Sequence, residues 1–183
     1  MKEIEEWKRD ASIRGKNGAA FLAAGACVWL LITLLHLLPV SMQVQQIGSL
    51  SLTGLVFPGA VLFSALLGAS WQLEGNPLSS LGTVLNAALL PYLPLVFWAY
   101  SAAPGQMVLF LAVITAAHFL PFGWMYAQRL YYMAAPGMVL VLFVVSIGPA
   151  WVVPLSMSVM LALTGGIGLY AAGVRSASLN TAA

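Results

Sequence analysis

The charged residues of this chain are confined almost entirely to its first 16 positions. Nine of the twelve Lys, Arg, Asp and Glu residues lie there, and the other three are Glu74, Arg129 and Arg175. A soluble domain distributes charge over its whole surface, whereas 61% of this chain is apolar and only 7% is charged. The sequence therefore predicts an integral membrane protein that contacts the lipid bilayer along most of its length.

The apolar part of the chain divides into stretches close to the length of a membrane span. A helix needs roughly 20 residues to cross a hydrocarbon core about 30 Å thick. Lipid cannot satisfy exposed backbone groups, and the stretches lack the alternation of a barrel strand, so each is predicted to be helical. We expect an all-α membrane protein with six transmembrane helices, at 19–38, 47–68, 78–100, 105–122, 130–148 and 151–173.

The positions of Lys and Arg indicate that both termini face the cytoplasm. Cytoplasmic loops are enriched in these residues. Here they precede the first predicted helix, separate the fourth from the fifth and follow the sixth, while the segments assigned to the other side carry no charge. This N-in, C-in topology gives an amphipathic cytoplasmic segment at 1–18, a transmembrane domain at 19–175 and a short cytoplasmic tail at 176–183.

The N-terminal segment places Ile4, Trp7 and Ala11 on one helical face. Its five basic and four acidic residues nearly cancel, so no nucleic-acid partner is expected. We interpret the segment as an orientation anchor at the membrane surface, with binding of a partner as the alternative.

A short motif recurs near the ends of the first and fourth predicted helices. Residues 32–39 and 114–121 share the pattern I-T-x-x-H-x-L-P, and residues 58–62 resemble residues 136–140. A repeat unit of three helices inserts its second copy upside down, which predicts two inverted three-helix halves, an arrangement found in transporters. The alternative is that polar and helix-breaking residues simply cluster near helix ends.

Two histidines, His36 and His118, are the leading candidates for a functional role inside the membrane. Polar groups at membrane depth are costly, and histidine titrates near neutrality, so each is a candidate gate or proton-relay residue. The topology places them on opposite sides, too far apart to share a metal or a haem. The alternative for each is a neutral side chain bonded to a nearby carbonyl.

Further candidates lie at the cytoplasmic side and near the middle of the bilayer. Glu74 and Arg129 fall at a depth similar to that of His118, and an ion pair between them would form a gate or an anion-sensitive vestibule; two separate interfacial charges are the alternative. Deeper in the membrane, Asn86 and Thr115, with carbonyls freed by prolines, are expected to line a polar path with Ser64.

Aromatic residues gather at the expected helix ends. The inner turn around Arg129 is flanked by Phe122, Trp124, Tyr126, Tyr131 and Tyr132. Such rings favour the headgroup level, so they are interpreted as an interfacial belt, with an aromatic ligand cage as the alternative.

The last predicted helix carries a small-residue face. Thr164, Gly168 and Ala172 are spaced by four, and Gly165 adjoins them. This pattern predicts close helix packing, either within the bundle or in a homodimer.

The sequence carries no motif typical of an enzyme or of a cofactor-binding protein. Its residues contain no metalloprotease, nucleophile-elbow or phosphate-loop motif, and a single Glu is the only acid after residue 10. Cys27 is the only cysteine, so a multi-cysteine metal site is excluded. We expect no catalytic residue, no metal and no cofactor.

The stretches at 76–82 and 117–126, with the layout of the whole chain, resemble a family of small six-helix prokaryotic membrane proteins of unknown function. The resemblance implies a bacterial-type protein of the inner membrane and transfers no site residue.

These patterns favour a small transporter or channel for a neutral or weakly anionic small molecule, because buried acids that would bind a cation are lacking. A non-transporting accessory or sensor subunit acting through helix packing is the alternative, and an intramembrane enzyme is the least favoured reading.

Overall fold

The structure, a computed structural model, describes residues 2–180, and over these residues the chain is entirely α-helical apart from turns and short 3₁₀ segments. The predicted all-α class is confirmed. The helices in chain order are α1 (Lys2–Arg14), α2 (Ala19–Leu37), α3 (Met42–Thr53), α4 (Val56–Leu67), α5 (Leu78–Ala87), α6 (Leu93–Ala102), α7 (Met107–Ala117), α8 (Phe122–Met125), α9 (Arg129–Val145) and α10 (Val152–Asn180).

Within the described residues, four helical segments are long and apolar enough to cross a bilayer. They are Lys16–Leu37, Leu78–Ala102, Pro104–Met125 and Val152–Ser178, and the pair α3–α4 makes a fifth if its 44° bend lies within one span. α9 has 17 residues and is about 25 Å long, short of a full span. The structure thus supports a membrane protein with four or five candidate spans rather than establishing the expected six.

Prolines explain the breaks within two of the expected spans. Pro58 has no N–H to donate to the carbonyl of Gly54, and the bend between α3 and α4 falls at this point. Pro91 and Pro94 likewise separate α5 from α6, where a 3₁₀ turn replaces the α-helix. The α3–α4 pair is therefore bent near its middle, whereas Leu78–Ala102 is interrupted by a 3₁₀ turn and still counts as one candidate span.

α2 is the central helix, with α10 and α4 packed along it. Close approach depends on glycine: a Cβ added to Gly165 of α10 would lie 3.1 Å from the Cβ of Leu22, and one added to Gly59 of α4 would lie 3.2 Å from the Cβ of Ala24. Small residues let the helix backbones approach, which compensates for the absence of a hydrophobic driving force between helices in lipid.

The N-terminal segment folds as predicted into a helix, and part of the expected face packs against the bundle, with Trp7 half-buried against the core. Ala11 is fully buried, whereas Ile4 is exposed; Lys8 and Ser12 are the other buried residues. The ammonium of Lys8 lies 4.2 Å from the ring centroid of Trp124, which compensates its burial through a cation–π contact.

Other charged residues collect at the same end of the bundle. Arg14 donates to the backbone oxygen of Glu74 at 3.2 Å, and Lys16 donates to the backbone oxygen of Leu67. Arg175 donates to the carbonyls of the turn between α8 and α9, which leads directly into Arg129. We call this region, formed by α1, residues 70–77, residues 126–129 and Arg175, the charged end.

The last helix is longer than expected. α10 continues to Asn180 instead of ending near residue 173, because Arg175 remains anchored by side-chain hydrogen bonds and no helix breaker follows it. The expected tail at 176–183 is thus helical through residue 180, and residues 181–183 lie outside the described part of the chain.

Candidate functional site: a central cavity

A cavity of about 850 Å³ lies between α2, α3–α4, α5–α6 and α7. It extends from Gly15 and Trp71 near the charged end to Leu90 and Tyr92, beyond the break after α5. α4 packs on α2, whereas α5 contacts α1 and α8, and α6 contacts α7. The cavity lies between the α2–α4 pair and the α5–α6 segment. Its volume is in the range of small-molecule sites.

The cavity wall carries no formal charge. Among the described residues that form it there is no Asp, Glu, Lys or Arg, and most are aliphatic or aromatic. Because an unpaired ion is strongly disfavoured in apolar surroundings, the cavity is suited to uncharged contents.

Three of the candidate site residues lie in this wall: Asn86, Thr115 and His118. Asn86 Nδ2 donates to the carbonyl of Gly82 at 2.9 Å, and Thr115 Oγ1 donates to the carbonyl of Leu111 at 2.7 Å. Each side chain thus donates one hydrogen bond within its own helix while it contributes to the wall. The structure brings together residues from two different predicted spans.

The hydrogen bond of His118 determines which ring nitrogen carries the proton. Nδ1 lies 2.5 Å from the carbonyl oxygen of Thr115, and a carbonyl can only accept. Nδ1 must therefore donate, which leaves Nε2 of the neutral ring as an acceptor. Phe119 and Phe122 pack on the imidazole, with ring centroids 4.3 and 5.8 Å away.

An aromatic cluster lines the cavity near the charged end. The ring centroids of Phe122 and Tyr131 lie 6.4 Å apart, those of Phe119 and Tyr126 each lie 6.0 to 6.5 Å from both of them, and all four rings line the wall. Burial raises the pKa of Tyr126 to about 12, so its phenol stays neutral. The belt interpretation fits the exposed Trp124 and Tyr132 but is wrong for the buried Phe122, Tyr126 and Tyr131.

Ser64 of α4 also belongs to the wall, as the sequence suggested. Its side chain is buried, and its hydroxyl has no hydrogen-bond partner among the described residues. An unsatisfied buried hydroxyl is costly, so this position weakens the packing of α4 instead of stabilising it.

His36 lies outside the cavity, near the end of α2 that is remote from the charged end. Its Nε2 is 3.1 Å from Ser49 Oγ, and because that hydroxyl already donates to the carbonyl of Gln45, the histidine is the donor. Nδ1 is buried without a partner among the described residues. His36 and His118 therefore occupy different environments, and the described residues contain no cluster able to hold a metal ion.

The proposed ion pair between Glu74 and Arg129 is wrong. Both residues are exposed, and within the described residues the ion pairs are Lys8–Glu5 and Arg14–Asp10. The backbone of Glu74 is held instead by Arg14, and Glu74 borders a smaller cavity of about 520 Å³ beside its turn. The alternative of two separate charges fits the structure, in which α1 lies against the turn that contains Glu74.

Comparison with known families adds one result. The sequence model of one family matches residues 4–170. The chain belongs to DUF7010, a family of unknown function. The resemblance to a family of unknown function is thus confirmed. No curated protein matches the chain, and no solved structure matches it. The part that matches DUF7010 contains every residue of the cavity wall but not Arg175.

In this DUF7010 chain, sequence reasoning missed a buried polar cluster around Asn17. Ser12 donates to Asn17 Oδ1 at 2.7 Å, Asn17 Nδ2 donates to the carbonyl of Gly168 at 2.8 Å, and Tyr131 donates to the backbone oxygen of Asn17. Arg175 adds a hydrogen bond to Ser12 at 2.7 Å. The cluster joins α1, α9 and α10 at the charged end.

The local backbone explains why this residue is an asparagine. Lys16, Asn17 and Gly18 have φ angles of 47°, 52° and 72°, a left-handed turn between α1 and α2. Asparagine and glycine adopt this conformation more readily than other residues. The run Gly-Lys-Asn-Gly between a charged helix and an apolar one was the available signal.

The small-residue face of the last helix packs within this chain. Thr164, Gly165, Gly168 and Ala172 are all buried; Gly165 contacts Leu22, and Gly168 lies beside Asn17. The face is therefore occupied by α2 and the turn that precedes it, which leaves it covered in the monomer.

Proposed function

We propose that this chain is a multi-pass protein of a bacterial inner membrane that lets a small solute cross the bilayer, as a transporter or channel. The observation that carries the proposal is the central cavity, which runs from the charged end past the break between α5 and α6. Asn86, Thr115 and His118 are its candidate solute contacts. Its uncharged wall favours a neutral solute, or a weak acid that crosses in its neutral form. The proposal includes no enzymatic step.

The proposed topology has six spans with both termini in the cytoplasm, α9 being a short span and α3–α4 a bent one. It is supported by the hydrogen bonds that hold Arg14, Lys16 and Arg175 at one end of the bundle, since positive residues concentrate on the cytoplasmic side. Single cysteines placed at Ala103 and Ser176 in a Cys27→Ser background test it. In intact cells an impermeant maleimide should label only Ala103→Cys; labelling of Ser176→Cys would refute the topology.

The two inverted halves remain part of the proposal. In support, the two copies of the I-T-x-x-H-x-L-P motif both fall at the end of a helix, where α2 ends at Leu37 and α7 at Ala117. Their histidines lie toward opposite ends of the bundle, as an inverted pair requires. Superposition of residues 19–102 on residues 104–178 about an axis in the membrane plane tests this relation.

Flux into proteoliposomes tests the proposed function. Vesicles containing the protein are mixed with an inward gradient of glycerol, urea or formate, and swelling is followed by light scattering. At least one neutral solute should enter faster than into protein-free vesicles. If none does, and a partner membrane protein instead co-purifies in fixed stoichiometry, the alternative of an accessory subunit replaces transport. That partner would need a surface other than the covered face of α10.

A further inference from the structure

Two polar side chains of the cavity, Thr115 and Asn86, donate to carbonyls of their own helices and keep lone pairs available. The hydroxyl of Thr115 donates to Leu111, and one amide hydrogen of Asn86 donates to Gly82. Hydrogen bonds to helix carbonyls consume donors and leave the oxygens free to accept. The wall thus offers acceptors to whatever occupies it.

His118 follows the same rule. Because Nδ1 donates to the carbonyl of Thr115, the nitrogen left over is Nε2, which in the neutral ring can only accept. Thr115 and His118 lie one helical turn apart, so their free acceptors belong to one region of the wall. An occupant that carries an O–H or N–H group finds acceptors at Thr115 and His118, whereas a carboxylate, which can only accept, finds no donor at these two side chains.

The surroundings of these acceptors are apolar. Trp29, Leu111, Ile114 and Leu161 line the cavity, with the aromatic cluster at its charged end. A small polar solute that passes through would leave this surface in contact with water and bind weakly, whereas an apolar body attached to the donor would cover the surface and bind more tightly.

We propose that the cavity binds a neutral amphiphile: a molecule with a hydroxyl or amide donor on an apolar body. The donor is held by Thr115 and His118, and the corresponding anion is rejected because the wall holds no Lys or Arg side chain to pair with a carboxylate in these apolar surroundings. This inference rests on the cavity being the solute site of the proposed function and names the class of that solute.

Three probe molecules of similar size distinguish the effect of a hydrogen-bond donor from that of an acceptor alone and from that of a negative charge. They are 1-octanol, its isomer heptyl methyl ether, which lacks a donor, and octanoate at pH 8, where the carboxylate is ionised. Saturable binding is measured by equilibrium dialysis against the protein in lipid nanodiscs, with empty nanodiscs subtracted. The alcohol should bind about tenfold more tightly than the ether, the effect of one net hydrogen bond, and octanoate should show no saturable binding.

Matched variants test whether the preference for the alcohol over the ether arises at Thr115 and His118. Thr115→Val and His118→Phe should each reduce the preference for the alcohol over the ether. Thr164→Val and His36→Phe should leave it unchanged, because Thr164 makes the same type of hydrogen bond to its own helix and neither control lines the cavity. Equal binding of alcohol and ether by the unmodified protein, saturable octanoate binding, or equal effects of the control variants would overturn the inference. Selective binding without flux would refute the transport proposal and leave the inference standing.

Discussion

The side-chain amide of Asn17 donates a 2.8 Å hydrogen bond to the backbone carbonyl of Gly168, and so joins the turn before the first long helix to the last helix of the chain. Asn17 is fully buried, and the same side chain accepts from Ser12. One residue therefore fixes how the charged N-terminal helix sits on the membrane domain.

Replacing Asn17 should destabilise the fold. Asn17→Ala removes two buried hydrogen bonds and places alanine in a left-handed conformation, which together should lower the free energy of unfolding by about 2 to 4 kcal/mol. Asn17→Gly loses the same hydrogen bonds without the backbone strain, so it should be less destabilising by about 1 kcal/mol. Denaturant titration of the detergent-solubilised protein measures both; wild-type stability in either variant would contradict the role of the cluster.

Two adjacent glycines in α10 provide a matched test of helix packing. A Cβ at Gly165 would meet the Cβ of Leu22 at 3.1 Å, while one at Gly166 would meet nothing within 4 Å. Gly166→Ala should gain up to about 1 kcal/mol from helix propensity. Gly165→Ala should lose that gain and as much as 2 kcal/mol more through overpacking. Equal thermal midpoints for the two variants would show that α10 does not pack on α2 as described.

Two buried serines should respond in opposite directions to alanine. The hydroxyl of Ser64 has no partner among the described residues, so Ser64→Ala should leave stability unchanged or raise it by about 1 kcal/mol. Ser49 donates to Gln45 and accepts from His36, so Ser49→Ala should lower stability by about 1 to 2 kcal/mol. Unfolding midpoints in detergent compare the two; a large loss on changing Ser64 would mean that its hydroxyl is bonded.

The buried phenol of Tyr126 predicts a loss of stability at alkaline pH. Its pKa rises from 10.0 to about 12 in the folded chain, so between these values the unfolded state releases a proton that the folded state retains. The contribution of Tyr126 to the free energy of unfolding is therefore fully present below pH 10. As the pH rises toward 12, the free energy of unfolding falls by on the order of 3 kcal/mol. The difference between wild type and Tyr126→Phe in unfolding free energy should shift by this amount over that window. A pH-independent difference would contradict the burial.

The sequence predicted the helices better than it predicted their packing. The spans near 19–38 and 105–122 are predicted from hydropathy, which identifies the segments of the chain that are unfavourable in water. Lipid and a protein interior are equally apolar, so hydropathy does not say which side of a helix faces the bundle. For this reason the sequence pattern predicts an interfacial belt at Phe122 and Tyr131, although both side chains are buried in the aromatic cluster.

In the candidate site too, the sequence predicted some of the residues but not their contacts. Asn86 and Thr115 stand out because amide and hydroxyl groups are rare in apolar helices, and the structure places both in one cavity wall. The contacts of Asn17 could not be predicted, because its partner Gly168 lies 151 residues away and is a backbone carbonyl. Pairing Glu74 with Arg129 failed because similar membrane depth does not imply contact.

The central claim, that the cavity is the path of a solute, is tested most directly by blocking it. Thr83 lines the cavity, whereas the neighbouring Val84, which is exposed as Thr83 is, does not. Flux of the fastest solute of the glycerol, urea and formate panel is measured in proteoliposomes that contain wild type, Thr83→Trp or Val84→Trp. The account predicts that Thr83→Trp falls to the rate of protein-free vesicles while Val84→Trp keeps the wild-type rate. Wild-type flux through Thr83→Trp, or no flux above protein-free vesicles for any of the three proteins, would contradict it.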